Sequence, residues 1–279
     1  MSEAAANQKA EPTSGARELR PFESPPIARQ LEPGKFNRFL ATLPRHDFTL
    51  LASYLRKIPL EPGVILHDVG EQIERVYFPH SGMVSLVTVM RGGKMVETAI
   101  IGRAGVIGAS AGLGARQTFT RAIVQLPGTA AWLRAARFQA AADESQAIRD
   151  LIVRYTDLLF AQVQQSVTCN TLHSLEARLC RWLLQAHDCV DGGAIPLTQE
   201  FLAQMLGVRR TGVTVAARPL QKAGLVRYHR GRIEILDRAA LEDVACECYG
   251  ILRQKVDKVF PASPQREPAS AGELRRPGA

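Results

Sequence analysis

The sequence predicts an α+β protein with three successive parts: a small all-β domain, one long helix, and a C-terminal winged helix-turn-helix. Three observations carry this. Between residues 58 and 133, short apolar runs alternate with glycine turns at roughly the 8–12-residue rhythm of a small barrel or sandwich. From about residue 145 to 167 the apolar residues recur at helical spacing without a break, and residues 196–236 hold two short helical patterns followed by a basic hairpin.

The ends come first. Residues 1–30 and 261–279 are rich in Pro, Ala, Ser, Glu and Arg with little to bury, so both are expected to be disordered, with an arm that contacts DNA as the functional alternative. From Phe36 to Leu55, apolar residues at mixed helical spacing are broken by Pro44, which predicts two short helices. Turn signals then follow at Pro62-Gly63, Gly70, Ser81-Gly82, Gly92-Gly93 and Pro127-Gly128, and VSLVTVM-RGG-KMVETAII is the clearest hairpin. Ile148, Leu151, Ile152, Tyr155, Leu158, Leu159, Gln162 and Val163 form a stripe wider than a helix of this length needs for packing on one neighbour. Leu151, Tyr155, Leu158 and Gln162 lie along it, to be covered either by a second copy of the chain or by the β domain alone. A hinge is expected at Thr168-Cys169-Asn170, before a helix marked by Leu172, Leu175, Leu179, Trp182, Leu183 and Ala186.

In the C-terminal part, Thr198 is an N-cap with Glu200 in the first turn, and Phe201, Leu202, Met205 and Leu206 make a helix ended by Gly207. A second helix buries Val213, Ala216, Ala217 and Leu220 and presents Thr211, Thr214, Val215 and Arg218, flanked by Arg209 and Arg210. Gly224 closes it at C′, and Leu225–Leu236 reads as two strands around His229-Arg230-Gly231. From Thr198 to Arg232 there are seven basic residues (Arg209, Arg210, Arg218, Lys222, Arg227, Arg230, Arg232) and one acid, Glu200, so most of the formal charge of +8 sits on this segment. A concentrated basic face on this spacing suits DNA phosphates. Arg209, Arg227, Arg230 and Arg232 are expected on the phosphate backbone, with Thr198, Thr214 and Arg218 also at the DNA surface. Pro219 is expected to kink the second helix and to turn Arg218 aside.

The block LTQEFLAQMLGVRRTGV, with LQKAGLVRYHRGRIEILD after it, resembles the DNA-binding domain of the Crp/Fnr superfamily of bacterial transcription regulators. The resemblance covers about residues 35–250. It implies an N-terminal β-roll, a cyclic-nucleotide-binding-like jelly roll, at 31–143; a dimerisation helix and hinge at 144–168; and the winged helix-turn-helix at 169–250. It also implies a homodimer on a two-fold site, held by the dimerisation helix through Leu151, Tyr155, Leu158 and Gln162, with double-stranded DNA and RNA polymerase as partners. On the recognition helix the family's Arg-Glu…Arg set falls on Arg210, Thr211 and Val215, so two of three base readers differ.

In cyclic-nucleotide-binding members, a Gly-Glu-x-(Ala/Gly) turn and a later arginine hold the sugar-phosphate. The matching stretch here runs Gly108, Ala109, Ser110 and onward to Arg116 and Arg121, with alanine at the carboxylate position. Alanine cannot accept a ribose hydroxyl's hydrogen bond, so the effector site is altered and cyclic AMP is not the expected ligand. The alternative is a true cyclic-nucleotide or haem sensor, with His67 and His80 as the haem candidates. No cysteine precedes Cys169, which argues against the family's N-terminal iron-sulfur cluster.

No metal site is expected. Cys246 and Cys248, as a C-x-C pair on a helix, should point apart, which counts against a thiol switch; Cys189 beside His187 and Asp188 is too local to converge on one ion, and His173 has no evident partner. No carboxylate pair, nucleophile with base, or phosphate loop stands at a catalytic spacing, and the clustered histidines of a catalytic cupin-like barrel are missing, so the chain is not expected to be an enzyme. No apolar run approaches the roughly 20 residues of a membrane span, and residues 1–21 lack a secretory apolar segment, so a cytoplasmic location is expected.

Overall fold

A computed structural model describes residues 37–190 and 193–261; both predicted tails, apart from Pro261, lie outside the described residues. Two short helices, α1 (Arg38–Thr42) and α2 (Arg45–Ala52), open the fold on either side of Pro44, as the spacing predicts. Asn37, fully buried, caps α1 and seats it on the β domain: its side chain accepts from the Leu40 N–H and donates to the carbonyls of Pro79 (3.0 Å) and Gly105 (2.8 Å).

The β domain is one antiparallel sheet rolled on itself. Strands β1 (Arg56–Leu60) and β2 (Ile65–His67) pair with different halves of β5 (Arg121–Arg134), which runs along β3 (Arg75–Val89); β4 (Met95–Ile101) completes the β3–β4 hairpin seen in the sequence. The two long strands bend where they cross. The register shifts around Ser81 and Met83, and a Cβ on Gly128 would lie 2.2 Å from the Ser81 carbonyl oxygen, while one on Gly82 would lie 2.7 Å from that of Leu126. Only glycine permits that approach. Inside the roll, Ile58, Leu60, Leu66, Tyr77, Val84, Ile101, Ile107 and Val124 form one apolar core.

A 3₁₀ turn (Ala109–Leu113) and helix α3 (Ala135–Glu144) lead to α4 (Gln146–Leu172), capped by Ser145, whose hydroxyl accepts from the Ile148 N–H. The expected hinge at Thr168-Cys169-Asn170 is a correction: those residues are inside α4, and the chain first leaves helical backbone at His173 (φ −104°, ψ 148°). No proline or glycine interrupts the pattern before that point, so the helix runs on.

The C-terminal part comprises α5 (Leu175–Asp188), β6 (Ile195–Pro196), α6 (Gln199–Leu206), α7 (Arg210–Lys222), β7 (Val226–His229), β8 (Arg232–Ile235) and α8 (Arg238–Val244), with the strands ordered β6-β8-β7. A final helix, α9 (Cys248–Val259), lies back along α4, and Phe260 enters the core beside Phe39 and Tyr155. Among the described residues no helix is long and apolar enough to cross a membrane.

This C-terminal part is docked on the roll. Met83, Val87 and Leu126 share one core with Leu179, Trp182, Leu183 and Met205, and the Gly82 N–H donates to the Cys189 carbonyl at 2.9 Å. In the seam, Glu97 of β4 accepts from Trp182 Nε1 (2.8 Å) and from the Ser85 hydroxyl, with Arg181 and Cys189 as the other ionisable groups that act on it. Burial raises its carboxyl from an ordinary 4.5 to about 7, against the pull of those hydrogen bonds and of Arg181. The folded chain therefore binds a proton that the unfolded chain has released, and stability falls as pH rises from about 4.5 to about 7 and is level above. Glu97→Gln should flatten that fall and raise stability at pH 8 by up to about 3 kcal/mol. Thermal melts of both proteins across this range check it; parallel curves would mean that Glu97 is not the titrating group.

Candidate nucleic-acid interface

Helices α6 and α7 make the turn that the sequence predicts. The Thr198 hydroxyl accepts from the Phe201 N–H (3.2 Å), leaving its own proton free to donate, and Gly207 ends α6 in the left-handed region at φ 67°. Val213, Ala216 and Leu220 are buried against α5 and α6, so the opposite face of α7 is fixed outward. Thr211, Val215 and Arg218 stand exposed along that face, with Arg209 and Arg210 exposed at its N-terminal end. Val215 is 68% exposed. A valine so open to water is left uncovered by the described residues, which suits contact with a thymine methyl.

Two expectations change here. Thr214 is half-buried, and its hydroxyl lies 3.1 Å from Gln199 Oε1 and 3.3 Å from the Arg210 carbonyl, so it ties α7 to α6 and is not presented outward like Thr211. Pro219 lies on the exposed side within α7, which continues to Lys222, and Arg218 keeps its place on the outer face.

In the wing, Arg230 and Arg232 are exposed, whereas Arg227 faces Glu234 across the strand pair at 3.1 Å and has part of its charge balanced. Arg230 is the one non-glycine residue with positive φ among the described residues, at 47°, followed by Gly231 at 73°. Two successive positive φ values make the turn that best matches strand twist, and Asn-Gly is its preferred pair. An arginine there carries strain of roughly 1 kcal/mol.

The effector loop is filled by its own chain. Gly108 is left-handed at φ 80°, Ala109 is buried, and a Cβ on Gly112 would lie 2.5 Å from Ile152 Cδ1 of α4 and 2.9 Å from Phe138 of α3. Arg121 is committed to Asp68 by two hydrogen bonds of 2.9 and 2.8 Å, while Ser110 and Arg116 are exposed. His67 and His80 are packed histidines. The ring of His67 meets the Arg75 carbonyl, and that of His80 accepts from the Asn37 N–H. Burial lowers both, His80 to about 4 with help from Lys57 and Arg103. A separate cavity of about 430 Å³ lies where the loop after β4 meets α4 and α9, lined by Ile100, Arg103, Gln162, Tyr249, Arg253 and Asp257 among others.

The assigned dimer residues are a further correction. Leu151, Tyr155 and Leu158 are buried within the chain; Tyr155 donates to the Val106 carbonyl (2.9 Å) and Gln162 to that of Ile100 (3.1 Å). They hold α4 on the roll. Of the helix's large apolar residues, Val153, Phe160 and Val167, seven apart and 47–63% exposed, are left outside, with Leu172 exposed at the last turn. That heptad was visible in the sequence, but the broader stripe hid it.

The cysteines also depart from the sequence expectation. Cys246 precedes α9 and only Cys248 is in it, so the two do not diverge as on a helix; with Cys169 and His173 their ligand atoms all lie within 4.8 Å of one another. By contrast, His187 and Asp188 both turn to Arg238 and Cys189 is buried against Gly102, so that trio does not converge.

The Arg230 strain yields a test. Arg230→Asn should raise stability by about 1 kcal/mol and weaken binding to all DNA sequences alike, lowering the salt slope by about one. Denaturant melts and salt titrations measure the two effects; an unchanged slope would take Arg230 off the phosphate path.

Comparison with known proteins agrees with this geometry. Residues 177–244 match the family described as a Crp-like helix-turn-helix domain. No curated protein sequence matches the chain. Among solved structures, FixK2 from Bradyrhizobium japonicum is similar at 14% identity, covering 69% of this chain and 98% of that one with a TM-score of 0.59. A putative transcriptional regulator of the crp/fnr family from Eubacterium rectale is similar at 20% identity, with 73% and 95% covered and a TM-score of 0.56. The c-di-GMP responsive global regulator CLP of Xanthomonas campestris is similar at 14% identity, with 74% and 100% covered and a TM-score of 0.52. Residues 177–244 are thus a Crp-like helix-turn-helix domain, carried on a chain that has the fold of Crp/Fnr-family transcription regulators.

Proposed function

We propose that the chain is a sequence-specific DNA-binding transcription regulator of the Crp/Fnr type that acts as a homodimer on a two-fold site. The observation that carries this reading is the outer face of α7, where Arg210, Thr211, Val215 and Arg218 stand exposed together, with no element among the described residues over them. Arg210 is the guanine reader, Thr211 and Val215 meet thymine, and Thr198, Arg209, Arg230 and Arg232 meet phosphates.

A two-fold site needs a two-fold protein. Val153, Phe160 and Val167 occupy one heptad position of α4, with Thr156, Val163 and Asn170 three residues further on, and these form a seam with the same helix of a second copy. Phe160→Glu should place a carboxylate in that seam and give monomers that retain the roll's fold. Light scattering beside circular dichroism decides; a folded Phe160→Glu dimer would exclude this seam.

The effector site is altered, since the loop that would hold a sugar-phosphate lacks a carboxylate at Ala109 and has Arg121 paired to Asp68. A second reading, a small-molecule sensor, is favoured by the 430 Å³ cavity beside α4, whose size suits a small ligand. One experiment addresses recognition and effector together. A randomised-site selection with wild type and Arg210→Ala, with and without cyclic AMP, should show a loss of about 1–3 kcal/mol of discrimination at one guanine and no change with the nucleotide. A uniform loss over all positions would move Arg210 to the phosphates, and a nucleotide-dependent site would favour the sensor reading.

A further inference from the structure

We propose that Cys169, His173, Cys246 and Cys248 form a closed tetrahedral zinc site at the junction of α4 with the DNA-binding domain. Cys169 and His173 are four residues apart at the end of α4, hence on one side of its last turn, and the His173 N–H still donates to the Cys169 carbonyl at 3.2 Å. Cys246 follows the extended Ala245 at the end of α8, and Cys248 is the first residue of α9. The change from extended to helical backbone between them brings both thiols to the same side.

The distances fit one ion. Cys169 Sγ and Cys246 Sγ are 3.5 Å apart, as are Cys248 Sγ and His173 Nδ1, and all four donor atoms lie within 4.8 Å of one another. A tetrahedral zinc with ordinary Zn–S and Zn–N bonds places its donors about 3.8 Å (S to S) and about 3.6 Å (S to N) apart. Donors this close leave no room for the inorganic core of an iron-sulfur cluster. A disulfide, with sulfurs about 2.05 Å apart, would account for two thiols only and leave the third and the imidazole unexplained.

The surroundings favour metal. All three thiols are buried, and four protein donors leave no open position, as in structural rather than catalytic zinc. Thiolates with imidazole select zinc over magnesium or calcium. The carboxylate of Glu247 lies 3.2 Å from His173 Nε2, which turns Nδ1 toward the sulfurs, and Gln165 Nε2 donates to Cys248 Sγ at 3.0 Å. These are the outer contacts that orient metal ligands. On binding, the three thiols lose their protons and the site carries one net negative charge. Arg178 and Arg181 of α5, each with a buried Nε that lacks a hydrogen-bond partner among the described residues, act on Cys169 through space and balance that charge.

The ion would sit beside the break between α4 and α5, where a hinge would lie. Through Cys169 and His173 it joins the end of α4 to the segment between α8 and α9, and so fixes how the winged helix leaves α4. Cys246 and Cys248 lie just past the residues that match the Crp-like domain, so the site is an addition to that domain.

The test uses the full chain, reduced and reconstituted with zinc, then with cobalt as a spectroscopic probe. Native mass spectrometry should find one zinc per chain, and cobalt should give the visible absorption of a tetrahedral ion with thiolate charge transfer in the near ultraviolet. Cys248→Ser and His173→Ala should each weaken binding at least tenfold, and Cys180→Ser, away from the site, should not. Chelation of wild type should speed amide exchange around residues 170–176 and leave the roll unchanged. Wild-type protein that takes up no stoichiometric ion, an octahedral cobalt spectrum, or ligand variants that bind as tightly as Cys180→Ser would overturn the site. Unchanged exchange on chelation would overturn its role at the hinge. Because the zinc and cobalt readings are made on wild type, a variant that fails to fold does not protect the proposal.

Discussion

Everything in this molecule depends on the division of α4 into two faces. Its inner face sends Ile148, Leu151, Ile152, Tyr155 and Leu158 into the roll's outer core, and each such side chain contributes about 1.5–3 kcal/mol when buried. The Tyr155 hydroxyl, with its partner on the Val106 carbonyl, fixes the rotation of the helix about its axis. Once that rotation is set, Val153, Phe160 and Val167 can only point away from the roll. The apolar face left open on α4, the direction in which the chain leaves for the winged helix-turn-helix, and the position of Cys169 all follow from it.

The DNA-binding domain is held at more than one point. It shares a core with the β3–β5 bend, its Trp182 bonds to the half-buried Glu97, and α9 returns from it along α4 to place Phe260 against Phe39. A change felt in the roll therefore has short physical routes to α6 and α7: through β4, through the bend at Gly82 and Cys189, and through α4 itself. The bend is the least yielding, because the backbones at Ser81 and Gly128 already touch.

The recognition surface is simpler. It rests on a local hydrophobic pattern, Val213, Ala216 and Leu220 inward, that leaves the opposite face free to vary in chemistry without cost to the fold. Thr211 and Val215 replace a carboxylate and a guanidinium of the resembled pattern on that free face. The strained backbone at Arg230 is the converse case, where a charge is kept at a position whose geometry favours asparagine or glycine.

The amino-acid sequence by itself determined the features that rest on neighbours a few residues apart. Helices α6 and α7, the Thr198 cap, the left-handed Gly207 and Gly224, the wing turn and the β3–β4 hairpin follow from local spacing and turn chemistry, and the structure has each of them. Tertiary structure decided whatever depends on which face meets what. Periodicity marks a helix as apolar on two sides without saying which side a β-roll will take, so spacing alone does not show that Leu158 and Gln162 face the roll. Glu97 carried no local sign of burial, because its partners Ser85 and Trp182 are 12 and 85 residues away. Cys169 and Cys246 are 77 residues apart, and their meeting depends on α9 folding back along α4, which no spacing within either segment encodes.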